Sequence, residues 1–245
     1  DVLELYASTS DADGEPTWQF PDSEIDKLAD PSVKALFVVN PSNPTAVAMD
    51  AAAAERIAQI VRERPELIVI TDDVYAPFVE GFRSLAAVVP RNTIVLYSFS
   101  KFWGATGLRL GVVGLHASNA LDARLAAASG ETLAAARQRY GAIATAPERL
   151  KLIDRMVADS RAVGLNHTAG LSAPQQVQMA LFALDGLLDA GGQRKQQART
   201  LLRGRFERLY RGAGLAPPDN ALLTRYYATI DIPALARSRY GEAFA

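Results

Sequence analysis

The sequence has 245 residues, 49% of them hydrophobic, and a formal net charge of -1 at neutral pH. That is enough apolar material for a sizeable core, in one large domain or in one domain plus part of another. The near-neutral balance gives no electrostatic basis for binding nucleic acid or an acidic membrane surface. Cysteine is absent, which excludes disulfides, thiolate metal sites and cysteine nucleophiles and suits a reducing cytoplasm. No apolar run is long enough to span a bilayer. The chain opens at Asp1 on sequence that reads like the middle of a domain, so an internal piece of a longer protein is expected.

Residues 35–39 form a short apolar run rich in β-branched side chains, a strand that ends in the turn-forming Asn40-Pro41-Ser42-Asn43-Pro44. A helix is predicted from the N-cap Asp50 to Arg64. Residues 67–71 give a second strand, closed by Asp72-Asp73. Residues 93–97 and 110–115 give a third and a fourth. Continuous apolar strands separated by helices predict a mostly parallel sheet covered on both faces, hence an α/β fold.

After His116 the texture becomes helical. Helices are predicted over 120–140, over 147–161 with Ile153, Met156 and Val157 at helical spacing, and from Ser172-Ala173-Pro174-Gln175 to about Leu188. Gly191-Gly192 is a break and the best candidate hinge, separating a domain over 1–190 from an interdomain helix and the start of a smaller domain over 191–245. Residues 193–210 form a charged helix with an apolar stripe at Leu201, Leu202, Phe206 and Leu209. A loop over 212–219 and a strand over 224–231 follow.

Three of the strands end in polar residues: Asn40 to Thr45, Asp72 to Tyr75, and Ser98 to Arg109. Ligands in open α/β sheets bind at the carboxyl ends of strands, so these segments are expected to converge. Ser98, Ser100 and Lys101 offer two hydroxyls and an amine, Gly104, Gly107 and Gly111 allow close backbone approach, and Arg109 offers a fork suited to phosphate. Asp72 can pair with a protonated ring nitrogen, and Asn43 and Tyr75 can bond a ring hydroxyl. Each residue alone is ordinary: a surface lysine, a turn aspartate, an Asn-Pro turn. Together they match the functional groups of pyridoxal 5'-phosphate (PLP), whose use as an electron sink needs a carboxylate beside its nitrogen. The stretch 104–111 is not G-x-G-x-x-G, no G-x-x-x-x-G-K-[ST] occurs, and two histidines are poor material for a histidine metal cluster.

Asn40-Pro-Ser-Asn-Pro-Thr45, Asp72-Asp-Val-Tyr75 and Ser98-Phe-Ser-Lys101 with Arg109 eight residues on resemble the fold type I, PLP-dependent aminotransferase family. The resemblance implies a large domain with a mostly parallel sheet, and Lys101 as the residue that holds PLP as a Schiff base. It implies Asn43 and Tyr75 on the ring oxygen, Asp72 on the pyridine nitrogen, Ser98, Ser100 and Arg109 on the phosphate, and Val74 against one ring face. The family usually has glycine where this chain has Ala46, which puts the local turn in question.

Within the family, the segments 72–84, 98–111 and 158–179 are similar to the branch that removes the β-carboxylate of L-aspartate, giving L-alanine and carbon dioxide with aspartate aminotransferase activity on the side. The alternatives are an ordinary aminotransferase and a non-catalytic binding module of the same fold. The resemblance further implies a homo-oligomer, with Asn166, His167 and Thr168 as candidates to face a neighbouring site. It also implies a substrate-carboxylate arginine beyond this chain; Arg237 and Arg239 do not sit in a version of that motif.

Overall fold

A computed structural model describes residues 1–10, 14, 16–162 and 171–241. In chain order the elements are α1 (Asp22–Ile25), β1 (Ala35–Val39), α2 (Ala51–Glu63), β2 (Ile68–Asp72), α3 (Leu85–Val88), β3 (Thr93–Ser98), β4 (Gly111–Leu115), α4 (Ala120–Ala126), α5 (Gly130–Tyr140), α6 (Leu152–Ala162), α7 (Ala173–Leu188), α8 (Gln193–Gly212) and α9 (Ile232–Tyr240). The strands form one sheet in the order β1-β2-β3-β4. β1, β2 and β3 run parallel, with Val39 opposite Asp72 and Asp72 opposite Leu96. β4 returns antiparallel, with Ser98 opposite Gly111. The carboxyl ends of three strands therefore meet on one edge, where β4 begins. Gly111 suits that place, because a Cβ would sit a tight 3.3 Å from the Tyr97 carbonyl oxygen.

The helix after β1 starts where the cap signal placed it. The Asp50 carboxylate accepts the Ala53 backbone N–H at 2.8 Å, satisfying a donor that has no partner inside the helix. From there Ala53, Ile57, Ala58, Ile60 and Val61 recur on one face and are buried. They pack with Leu36, Leu67, Val69 and Leu85 in the main core. Burial of each large side chain contributes about 1.5–3 kcal/mol before entropy is counted. The opposite face is open at its β1 edge, where Phe37 is 62% exposed.

Four sequence expectations change. The helix over 120–140 is two helices: α4 ends at Ala126, Ser129 is extended (φ -138°, ψ 175°), and α5 starts afresh at Gly130, whose backbone is left-handed (φ +56°). Pro147–Arg149 is a short 3-10 turn preceding α6. The freed carbonyls at that break are met by Arg155, whose Nε donates to the Leu150 oxygen at 3.0 Å and whose Nη2 donates to the Pro147 oxygen at 3.5 Å. The stripe on α8 holds at Phe206, which is buried, and at Leu202, which packs against Val74, Tyr75 and Phe78, but Leu201 and Leu209 are half exposed and Tyr210 is buried instead.

The fourth change concerns residues 224–231, which form no strand. A single antiparallel bridge joins Val47 to Leu223. It is flanked by bonds from the Thr224 N–H to the Ala46 oxygen at 2.8 Å and from the Ala48 N–H to the Leu222 oxygen at 2.9 Å. Arg225 then turns left-handed (φ +56°), and the chain leaves the ladder. The Ser172 cap is confirmed, with its N–H donating to Gln175 Oε1 at 2.9 Å, and so is the break at 191–192 between α7 and α8. Asn166, His167 and Thr168 lie outside the described residues.

Candidate cofactor site

Asp72 is the last residue of β2. Its Oδ1 accepts the Val74 N–H at 3.1 Å, a local turn that carries the chain off the sheet and drops Val74 and Tyr75 into an apolar cluster with Phe78. Val39, Phe102, Tyr226 and Tyr227 pack against that cluster. Tyr75 is only 2% exposed. Asn43 Nδ2, from the loop after β1, donates to the Tyr75 oxygen at 3.5 Å. The Tyr227 hydroxyl lies 2.5 Å from the same oxygen. Lys101 Nζ stands 5.8 Å from the ring centroids of both Tyr75 and Tyr226, at the outer range of a cation–π contact.

Ser98 and Ser100 form a second group. The Ser98 hydroxyl donates to the Ser100 hydroxyl at 2.8 Å, and the Ser100 N–H donates to Ser98 Oγ at 3.1 Å. Ser98 sits at the end of β3, two residues beyond Leu96, the register partner of Asp72. Arg109 stands apart and exposed, with Nη1 donating to the Thr106 oxygen at 2.9 Å. Its backbone is left-handed (φ +52°), a conformation that costs a residue with a Cβ about 1–2 kcal/mol. Ala46 shares that conformation (φ +64°) while fully buried. The departure from glycine noted in the sequence thus falls on a position whose backbone favours glycine.

Two adjacent carboxylates differ sharply. Asp72 is half-buried at the strand mouth, and Asp73 is buried. Burial pushes the Asp73 carboxyl above the usual carboxylate range, against the opposing bonds from Ser84 and Thr71. The Thr71 hydroxyl donates to Asp73 Oδ1 at 2.6 Å. Burial, the largest cause, raises the Tyr75 phenol well above its ordinary value. It therefore stays protonated, and a donor, across the neutral range.

The groups present fit PLP by their chemistry: an amine, a half-buried carboxylate, a phenol beside an amide, a hydroxyl pair and a guanidinium. The fold gathers Asn43, Tyr75 and Lys101 in one cluster, with Val74 in the apolar packing around it. Asp72 and the serines follow on neighbouring strand ends. Cavities of about 630 Å³ and about 1020 Å³ border this cluster at Phe102 and at Phe78, and neither is lined by Lys101. Sequence reasoning missed Tyr226 and Tyr227. Their one signal was a Tyr-Tyr pair in a segment read as a strand.

Comparison with known proteins places these residues in context. The family model "Aminotransferase class I and II" matches residues 4–224. The chain is 48% identical over 235 residues to a bifunctional aspartate aminotransferase and L-aspartate beta-decarboxylase from Pseudomonas sp, covering 96% of this chain and 44% of that protein. It is 37% identical over 92 residues to a histidinol-phosphate aminotransferase from Roseobacter denitrificans, covering 37% of this chain and 25% of that protein. Among solved structures, an alanine aminotransferase from Pyrococcus furiosus superposes with a TM-score of 0.51 at 23% identity, over 80% of this chain and 41% of the other. A double mutant of Thermus thermophilus aspartate aminotransferase gives 0.52 at 18% identity, over 80% and 42%. The chain thus spans less than half the length of the curated relatives it matches.

Proposed function

The chain belongs to the class I and II aminotransferase family, and on that premise we propose that the complete protein removes the β-carboxylate of L-aspartate to give L-alanine and carbon dioxide, using PLP, with aspartate transamination as a side activity. The observation that carries this reading is the 48% identity over 96% of the chain to a protein named for both activities.

In this reading Lys101 holds the cofactor covalently through its amine. Once freed by the substrate amine, it moves a proton at the substrate α-carbon as general base and then general acid. Tyr75 and Asn43 hold the ring oxygen. Asp72 keeps the ring nitrogen protonated. Ser98, Ser100 and Arg109 hold the phosphate, and Val74 packs against the ring. Bound in this way, PLP supplies the electron sink for the pair left behind by the departing carboxylate. Residues 1–190 belong to the large cofactor-binding domain, and residues 191–245 supply the interdomain helix and the start of a smaller one. The complete protein works in the cytoplasm as a homo-oligomer. Among the described residues no helix is long and apolar enough to cross a membrane.

The deciding experiment is an absorbance titration with PLP. The protein is expected to develop a near-visible band that Lys101→Ala abolishes; identical spectra from the two proteins would remove Lys101 from its role. In the complete protein, carbon dioxide release from aspartate without an added keto acid separates decarboxylation from ordinary transamination. Transamination alone would leave the plain aminotransferase as the answer.

A further inference from the structure

Tyr227 has no part in the assignment above, yet its hydroxyl oxygen lies 2.5 Å from that of Tyr75 across 152 positions of sequence. The contact is well supported. Thr224 Oγ1 accepts the Tyr226 N–H at 3.1 Å, and the Thr224 N–H reaches the Ala46 oxygen at 2.8 Å, so the segment is tied to the loop that carries Asn43. The Tyr75 and Tyr227 rings meet edge to face, with centroids 5.4 Å apart. Tyr226 packs on Tyr75 at 5.4 Å and on Phe78 at 4.9 Å.

A phenol has one proton to give and two lone pairs to accept with. At Tyr75 the acceptor side has two candidate donors, Asn43 Nδ2 and the Tyr227 hydroxyl. If both donate, the Tyr75 proton is left for a third partner. Tyr75 is buried and Tyr227 is only half-buried, so water can serve the Tyr227 oxygen far better than the Tyr75 proton. A ring oxygen carrying negative charge would draw that proton most strongly.

We propose that Tyr227 is a positioning residue: it donates to the Tyr75 oxygen and so turns the Tyr75 proton toward the cofactor's ring oxygen. The inference rests on Tyr75 being a ring-oxygen ligand. The charged and titratable groups around Tyr75 are Asp72 from β2, Lys101 from the loop after β3, and Tyr226 and Tyr227 from the segment before α9. A chain of two phenols polarises each link, so loss of the outer one weakens the inner bond without removing it.

The test has two readouts. In the protein without cofactor, labelled with [¹³Cζ]-tyrosine, Tyr227→Phe is expected to shift the Tyr75 resonance, because it removes the hydroxyl that lies 2.5 Å from the Tyr75 oxygen. With PLP bound, weaker donation leaves more negative charge on the ring oxygen and favours protonation of the neighbouring lysine–cofactor linkage. The pH midpoint of the visible band should then rise by roughly half to one unit in Tyr227→Phe, and further in Tyr75→Phe. The double variant should match Tyr75→Phe, since Tyr227 acts through Tyr75. An unchanged Tyr75 resonance, or additive shifts in the double variant, overturns the role of Tyr227. A shifted Tyr75 resonance in a protein that forms no band with PLP overturns the cofactor assignment, and the ring-oxygen role with it, while the phenol pair itself stands.

Discussion

The same strands build two regions of opposite character. Beneath α2, Ile57, Leu67, Val69 and Leu85 are fully buried among apolar neighbours. At the carboxyl ends of β1, β2 and β3, Asn43 and Arg109 are exposed, Lys101 and Asp72 are half-buried, and hydrogen bonds among polar groups sit beside a small apolar cluster. Strand interiors are thus committed to burial, which supplies stability. Strand ends are where the parallel ladder runs out and backbone turns away, leaving polar side chains side by side. A substitution in one region should therefore move stability and leave the cofactor signature, and the reverse should hold in the other.

The strongest way to break that contrast is Ile57→Ala. It removes a fully buried side chain from the core and is expected to cost about 2–5 kcal/mol of unfolding free energy, measured by denaturant titration. The PLP band per folded molecule should stay as it is; a lost band at unchanged foldedness would show the two regions to be coupled. A smaller effect is expected from Asp50→Ala, which strips the α2 cap bond at a cost of about 1 kcal/mol. The melting temperature checks it.

The smallest effect sharpens the comparison most. Ala46→Gly relieves a left-handed backbone but adds freedom to the unfolded chain, so a net gain of roughly 0.5–1 kcal/mol is expected. Ala46 lies in the loop that carries Asn43, on the site side of the divide. If stability rises and PLP affinity is unchanged, the strain at Ala46 is incidental. If affinity falls as stability rises, the strain serves the site.

Much of this was legible from residues alone because the signals are local. The β-branched runs, the Asp50 and Ser172 caps and the Gly191-Gly192 break each act within a few positions, and each element formed near its predicted place. Helix 120–140 was misread because alanine-rich propensity hides the break before Gly130, where Ser129 is extended and Gly130 left-handed, a turn visible only in three dimensions. The apolar stripe on α8 was legible at Leu202 and Phe206 but not at Leu201 and Leu209, because periodicity names a face without naming its partner. Here Phe206 and Tyr210 turn inward, and the Tyr210 hydroxyl bonds the Thr229 oxygen at 2.8 Å.

By itself, then, the order of residues determined the α/β class and the set of groups proposed to hold a cofactor, since side-chain chemistry and short-range propensity are properties of the chain. Tertiary structure alone decided that Asn43, Tyr75 and Lys101 meet, that Asp73 is buried while Asp72 faces the strand mouth, and that Tyr227 reaches Tyr75 from far along the chain. Sheet register and burial set those contacts, and neither is encoded within the span of any one segment.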